Sequence, residues 1–320
     1  MLNYILMKNK TLNLMFSLGV VSIALLSCAS DEDVRASATA ENETMTPQGE
    51  ETLDYTSGDE GFTDAPAVPE DMVVTFEDDF TNDTGIPDPE KWTLCEKGDA
   101  TWARYLSGSY DQVYTKDGSL YLIGEQVNGQ YKTGAIETRG KYEFEHGVVQ
   151  CRAKFNRMPM GSHTGIWMMP APPAEQWPKS GEIDIMEHLN KEGIIYQTVH
   201  SWYADDMGHK DDPKSQHTVA IDKDDWNIYG VEWTADKIIY TVNGEKYLEY
   251  PNLHLEGQEG AYQWPFNHPF YLILSISLGG EGTWEGPITD SELPAEFQID
   301  WIRVMQPAGV TNSVPKVTMD

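Results

Sequence analysis

Gly181-Glu182-Ile183-Asp184-Ile185-Met186-Glu187 places three carboxylates in a short run otherwise made of Ile and Met. Strand side chains alternate faces with a period of two, so Glu182, Asp184 and Met186 fall on one face and Ile183, Ile185 and Glu187 on the other. That parity buries Glu187, and a buried, unpaired carboxylate is costly enough that proteins avoid it or keep it protonated. One extra residue, a β-bulge around Ile185-Met186, corrects the parity. Glu182, Asp184 and Glu187 then share one face, and Ile183 packs beneath with one of Ile185 or Met186. The spacing therefore predicts a bulged strand in a sheet with one open face.

Outward from this strand the texture repeats. Short β-prone runs include Ser119-Leu120-Tyr121-Leu122-Ile123, Lys141-Tyr142-Glu143-Phe144-Glu145, Val148 to Phe155, Ile194 to His200, Asn227 to Trp233, Lys237 to Val242, Phe270 to Ser275 and Gln298 to Val304. Asp117-Gly118 and Asn243-Gly244 are hairpin turns between such runs. No long segment keeps a helical period and no repeat of fixed length is present. Many evenly spaced strands joined by hairpins predict an all-β, antiparallel sandwich. With 320 residues the chain can bury one sizeable core. The net charge of -30 argues against nucleic acid or an anionic membrane surface as partner, because phosphates are repelled. The 10 Trp and 16 Tyr suit a neutral glycan better.

Residues 1–27 carry Lys8 and Lys10, then the apolar run Leu12 to Leu26, which is too short and too interrupted for a comfortable membrane span and has the layout of a secretory signal. Leu25-Leu26-Ser27-Cys28 resembles a bacterial lipobox, which implies lipidation of Cys28. Ser30-Asp31-Glu32-Asp33 resembles the acidic tag of surface-exposed lipoproteins. Residues 28–70 read as an acidic, disordered linker, 71–308 as the folded domain and 309–320 as a tail. The expected location is the outer membrane of a Gram-negative bacterium, with membrane contact through the lipid alone and a monomeric domain on a long tether. Cys95 and Cys151 suit either a disulfide or two buried thiols.

Two Glu flanking an Asp suit retaining glycoside hydrolysis, in which one carboxylate is the nucleophile and a second the acid/base, about 5 to 5.5 Å apart. A half-buried strand with three solvated acids gives the same pattern, and the surroundings decide. Phe76-Glu77-Asp78-Asp79-Phe80, Gly134-Ala135-Ile136-Glu137-Thr138, His146-Gly147-Val148-Val149-Gln150-Cys151-Arg152-Ala153-Lys154, Gly165-Ile166-Trp167-Met168-Met169-Pro170, Trp177-Pro178-Lys179-Ser180, Thr198-Val199-His200 and Ile299-Asp300-Trp301-Ile302-Arg303-Val304 stand in the order found in glycoside hydrolase family 16, which the chain resembles from about residue 73 to 306.

The resemblance implies a β-jelly-roll sandwich with a concave cleft for a polysaccharide or O-glycan. It implies Glu182 as nucleophile, Glu187 as acid/base and Asp184 hydrogen-bonded near the nucleophile. Trp177 matches a Trp beside the sugar next to the scissile bond. His200 matches a His expected to meet Glu187 or a sugar hydroxyl. Trp167 suits core and cleft equally, Trp202 shares the face of His200 if that strand continues, and Trp264 and Trp284 suit rim or core. No cofactor is required; a structural calcium involving Glu77, Asp79 and Asp300 is an option the family offers. Three departures bear on substrate: His163-Thr164-Gly165 replaces a Trp-bearing segment of β-1,3-glucan-cleaving members, while Ser275 and Gln112 stand where Asn is common. Tyr196 to Tyr203 looks more like members acting on β-galactosides of mucin O-glycans. That makes β-galactosidic linkages the first expectation, laminarin or mixed-linkage glucan the second, and a non-catalytic glycan-binding lipoprotein the reading of another class.

Overall fold

The computed structural model describes residues 62–82 and 84–310. The strands are β1 (Met72–Asp78), β2 (Thr93–Leu94), β3 (Val113–Lys116), β4 (Ser119–Val127), β5 (Gln130–Thr133), β6 (Ala135–Glu137), β7 (Gly147–Arg157), β8 (Ser162–Pro170), β9 (Glu182–Leu189), β10 (Ile194–His200), β11 (Gln216–Ala220), β12 (Asn227–Trp233), β13 (Lys237–Val242), β14 (Glu245–Pro251), β15 (Phe270–Leu278) and β16 (Ala295–Pro307). Two short helices, α1 (Trp202–Asp205) and α2 (Gly257–Gln263), interrupt them. Among the described residues the strands form two antiparallel sheets. One has nine strands in the order β14-β13-β12-β7-β16-β4-β3, with β1 on β16 and β5 on β4. The other has seven, β11-β10-β9-β8-β15-β6-β2. The fold is an antiparallel β-jelly-roll sandwich.

The core lies between the sheets and follows the two-residue period. Val149, Cys151, Ala153 and Phe155 of β7 face Ile166 and Met168 of β8 and Leu272, Leu274 and Ile276 of β15 within one apolar cluster. Trp233 is fully buried there, and its indole N–H donates to the Phe266 carbonyl at 3.2 Å, so the one polar atom of the largest side chain is matched. The hairpin turns lie at Asp117-Gly118 (φ 50° and 70°) and Asn243-Gly244 (φ 51° and 82°), where positive φ at both central residues suits the right-handed twist of the flanking strands. Asn128-Gly129 closes a third such turn between β4 and β5.

Two expectations change, and one left open is decided. Lys141 to Glu145 is not a strand: Tyr142 and Phe144 alternate inward, but only Phe144 pairs, with Phe270, and the Glu143 carboxylate turns back to accept from Gly140 N at 2.9 Å. The end of the expected linker, 62–70, packs on the nine-stranded sheet: Phe62 and Ala65 cover Trp301 and Ile228, and Asp64 pairs with Arg152 at 3.1 Å. Trp301 Nε1 donates to the Thr63 carbonyl at 2.8 Å and Arg303 bonds the Pro66 carbonyl. A single Phe among acidic and small residues gives no periodic signal, which is why the docking is invisible in the linear chain. Cys95 and Cys151 are free, buried thiols in separate apolar clusters. The expected signal segment, Cys28 and the residues to 61 lie outside the described residues, as do 311–320.

Candidate active site

The register of β9 carries the bulge. Against β8, Met186 pairs with Ile166 and Asp184 with Trp167, so Ile185 is the extra residue. Against β10, Glu187 pairs with Tyr196 and Asp184 with Thr198, three steps on β9 against two on its neighbour. The parity therefore switches inside the strand. Ile183, Ile185 and Met186 all enter the core, where only two of the three were expected, and Glu182, Asp184 and Glu187 share the outer face. Gly181, directly before the strand, has φ +82°, and a Cβ there would lie 2.6 Å from the Phe266 ring, so only glycine delivers Glu182 in this position.

The three carboxylates line a cavity of about 500 Å³ on the seven-stranded sheet. Trp177 and Trp284 stand at its walls with half their surface free, 50% and 52% exposed, as rings must be if they are to stack on a ligand. Gly165 lies beneath, beside Trp167 and Ser275; an added Cβ would come within 3.0 Å of the Trp167 ring, so the floor stays bare. Trp167 lies at the boundary of core and cavity. It is buried in a second apolar cluster with Trp102 edge-on at 4.9 Å, it donates to Ser275 Oγ at 3.1 Å, and its free edge still borders the cavity.

Each acid has its own surroundings. Trp177 Nε1 donates to Glu182 Oε2 at 2.5 Å. Burial and the neighbouring Asp184 raise the Glu182 carboxyl well above the usual carboxylate range, opposed by His200 and the Trp177 bond. Asp184 is fully buried, and burial, with Glu187 beside it, raises its pKa to about 6. His163 Nε2 lies 3.2 Å from Glu187 Oε1, while its Nδ1 meets Ser277 Oγ at 3.1 Å. The imidazole at the segment His163-Thr164-Gly165 thus holds an acid of the site.

His200 does not meet Glu187. Its Nε2 lies 3.3 Å from Asp184 Oδ2 and its Nδ1 3.0 Å from Asp205 Oδ2, and Lys210 sits 3.2 Å from the other Asp205 oxygen. Burial opposes charge on the ring, but the bonds to Asp184 and Asp205 outweigh it and raise the His200 pKa well above its ordinary value. Glu182, Asp184 and His200 place one ligand atom each within 4.8 Å of one another, the one such group of three among the described residues. An imidazolium has no lone pair for a metal, so this group is read as an ion pair. Glu77, Asp79 and Asp300 form no comparable group. The Asp300 carboxylate takes Arg152 at 2.7 Å and the Asp79 carboxylate takes the Thr81 hydroxyl at 2.7 Å.

Two expected residues are elsewhere. β10 ends at His200, Ser201 caps α1 by accepting from Ala204 N at 3.1 Å, and Trp202 leaves the cavity to meet Tyr262 and Lys179. Gln112 is buried and donates to Glu125 at 2.8 Å, away from the cavity. Trp264 belongs to the core. Missing from the expected set are Trp102, on the 3-10 turn Thr101–Ala103, and Glu285, buried 4.0 Å from His163 Nδ1. An aromatic in a polar loop, Asp99-Ala100-Thr101-Trp102, was the available signal for the first; the second has none.

A two-layer jelly roll with an acid-lined, Trp-walled cavity on one sheet defines a carbohydrate-active class. Comparison narrows it: the model of glycosyl hydrolases family 16 matches residues 101–303, and the chain belongs to that family. The keratan-sulfate endo-1,4-β-galactosidase of Sphingobacterium multivorum is 34% identical over 242 residues, covering 73% of this chain and 55% of that enzyme, so the chain spans little more than half of that relative's length. The β-glucanase of Rhodothermus marinus is 31% identical over 237 residues, covering 69% and 81%. Among solved structures, one from work on endo-acting O-glycanases with which prominent human gut bacteria initiate mucin breakdown matches at TM-score 0.65 and 33% identity, over 72% of this chain and 98% of that one. The laminarinase of Rhodothermus marinus matches at TM-score 0.65 and 27% identity, over 74% and 98%.

Proposed function

We propose that this chain is a retaining endo-β-glycosidase that cuts internal β-galactosidic linkages of mucin-type O-glycans. The observation that carries the chemistry is the bulge at Ile185, which sets Glu182, Asp184 and Glu187 on one face between Trp177 and Trp284. Glu182 attacks the anomeric carbon as Glu187 gives its proton to the departing glycosidic oxygen, leaving a glycosyl ester on Glu182 and a free sugar hydroxyl. Glu187, now ionised, takes a proton from water, whose oxygen displaces Glu182 and restores both acids. Trp177 fixes the Glu182 carboxylate, His163 holds Glu187, and the His200 cation lets a negative charge persist among buried acids.

The substrate reading rests on His163, which stands in place of a stacking platform, and on likeness to the keratan-sulfate endo-β-galactosidase and to the mucin-directed O-glycanase structure. The likeness to the Rhodothermus β-glucanase favours laminarin or mixed-linkage glucan as the second reading. A lipobox-like Leu25 to Cys28 and the acidic residues that follow support a lipid-anchored, surface-exposed protein of the outer membrane, monomeric on its tether. Incubation with mucin, keratan, agar-type galactans, laminarin and lichenan tests the proposal, with products read by mass and the first-formed anomer by NMR. Oligosaccharides from mucin or keratan with retained anomeric configuration are expected. Products from laminarin or lichenan alone move the assignment to a glucanase, and binding without products moves it to a glycan-binding lipoprotein.

His200 gives a pH prediction. Its positive charge lowers the proton affinity of Glu182 and Asp184. Changing His200 to Asn removes that charge, so the nucleophile holds its proton to higher pH and the acid limb of the kcat/KM profile moves upward. An unmoved acid limb contradicts the ion-pair reading.

A further inference from the structure

The segment that carries Thr101 and Trp102 at the cavity wall has a second face. Beyond it, residues Arg104 to Ser107 and the tip of the β4–β5 hairpin enclose a separate cavity of about 430 Å³. Backbone bonds join the two walls: Thr133 N donates to the Tyr105 carbonyl at 2.9 Å and Ser107 N to the Thr133 carbonyl at 3.1 Å. Lys97, Arg104 and Lys132 line this cavity together with Tyr105, Tyr131 and Ser107, and among the described residues no Asp or Glu does. In a chain with 52 acids and 22 bases, three cations lining one cavity, with Asp290 held outside it on the Tyr131 hydroxyl at 2.6 Å, is a local reversal of sign.

None of the three cations forms an ion pair among the described residues. Glu125, which faces Lys132 in the β4–β5 register, accepts instead from Gln112. Arg104 donates from Nε to the Thr101 carbonyl at 3.3 Å, but its Nη2 is shut off from solvent with no hydrogen-bond partner. A guanidinium offers five donors, and Nη2 meets a ligand's oxygen only when the side chain turns toward the cavity, so recognition rests on the cavity-facing atoms of Arg104 together with Lys97 and Lys132. Arg104 also ties the two cavities together, since its Nη1 lies against Gly280, at the base of the loop whose Trp284 walls the first cavity.

We propose that this cavity binds the anionic substituent, a sulfate ester or a carboxylate, of a glycan whose neutral rings occupy the Trp-walled cavity. Both groups present oxygens that Arg104 and Lys132 recognise through charge-assisted bonds, while Ser107 serves a neighbouring hydroxyl. The net negative field of the chain repels anionic glycans at long range, so productive binding of such a substrate requires local cations of this kind. The proposal deepens the galactoside reading and rests on it for the neutral part of the ligand.

The test is binding of single sugars to the full chain, with no cleavage required. Galactose, galactose 6-sulfate, N-acetylneuraminic acid and inorganic sulfate are titrated at low and physiological salt and followed by NMR. A charged sugar is expected to bind about tenfold more tightly than galactose at low salt. That gain should fade as salt screens it, and it should disappear in Lys132→Gln and Lys97→Glu, both outside the apolar core, with the melting temperature unchanged. Preference for the sulfate assigns the site to sulfated glycans and preference for the carboxylate to sialylated ones. Equal binding of all three sugars, a gain that survives both substitutions, or binding of inorganic sulfate with no gain for the sulfated sugar overturns the proposal. A glucanase result in the glycan panel overturns the galactoside reading and leaves this measurement standing.

Discussion

Changing Glu182 to Gln is expected to remove hydrolysis, with kcat lower by about 10⁴-fold or more, while the affinity for uncut glycan stays within a few-fold of the unaltered protein. The substitution keeps the volume, and the amide oxygen can still accept from the Trp177 indole, so the cavity wall beside the sugar is preserved. It removes the negative charge that makes the carboxylate a nucleophile for the anomeric carbon. Stability supplies an independent check with the opposite sign. The Glu182 carboxyl is raised in the folded protein by burial and by Asp184, so holding it ionised above that pKa costs folding free energy that the neutral amide does not. The Glu182→Gln variant should therefore melt at the same or a higher temperature at neutral pH, and the difference should shrink as pH falls and the wild-type Glu182 takes up its proton. Mass-resolved product analysis, calorimetric binding and a thermal melt together separate loss of chemistry from loss of fold. Unchanged turnover would remove Glu182 from the mechanism.

The parts of this site legible in the linear chain are those fixed by strand parity. Three acids that do not fit one face require a bulge, and a bulge at Ile185 delivers them, because the cost of burying Glu187 exceeds the cost of one unpaired residue. The alternating apolar positions of β7, β8 and β15 similarly settle which faces meet. What parity does not reach is where an element stops and what crosses space to meet it. Trp202 fits the face of His200 only if β10 continues, yet Ser201 captures the Ala204 N–H and starts a helix within two residues. The same turn brings Asp205 back onto His200, a pairing of two side chains on different kinds of element that no strand pattern contains. Gln112 is diverted by Glu125 on the neighbouring β4, and His163 reads as a lost platform until the fold sets it against Glu187.

Changing Glu187 to Ala should separate the two halves of the reaction. Proton donation by a positioned acid contributes about 10²- to 10⁴-fold, so cleavage of a natural glycan, whose leaving sugar alkoxide must be protonated, falls by that order. An aryl glycoside with an acidic phenol leaves without the proton, so its first step survives and the glycosyl ester on Glu182 accumulates. One equivalent of phenol is then released in a burst, followed by slow turnover, because water lacks the base that activates it. Azide needs no base and fits the space the carboxylate vacates; it should restore turnover and appear in the product as a glycosyl azide of retained configuration. Asp184 is the rival holder of that proton, with its pKa raised to about 6 by burial and by Glu187. The two assignments diverge in the variants: if Asp184 is the acid, Glu187→Ala gives no burst and no azide adduct, whereas Asp184→Ala gives both. Because His163 bonds Glu187 and His200 meets Asp184, the geometry favours the first outcome, with His163 positioning the group that moves the proton and His200 the group that stays charged beside the nucleophile.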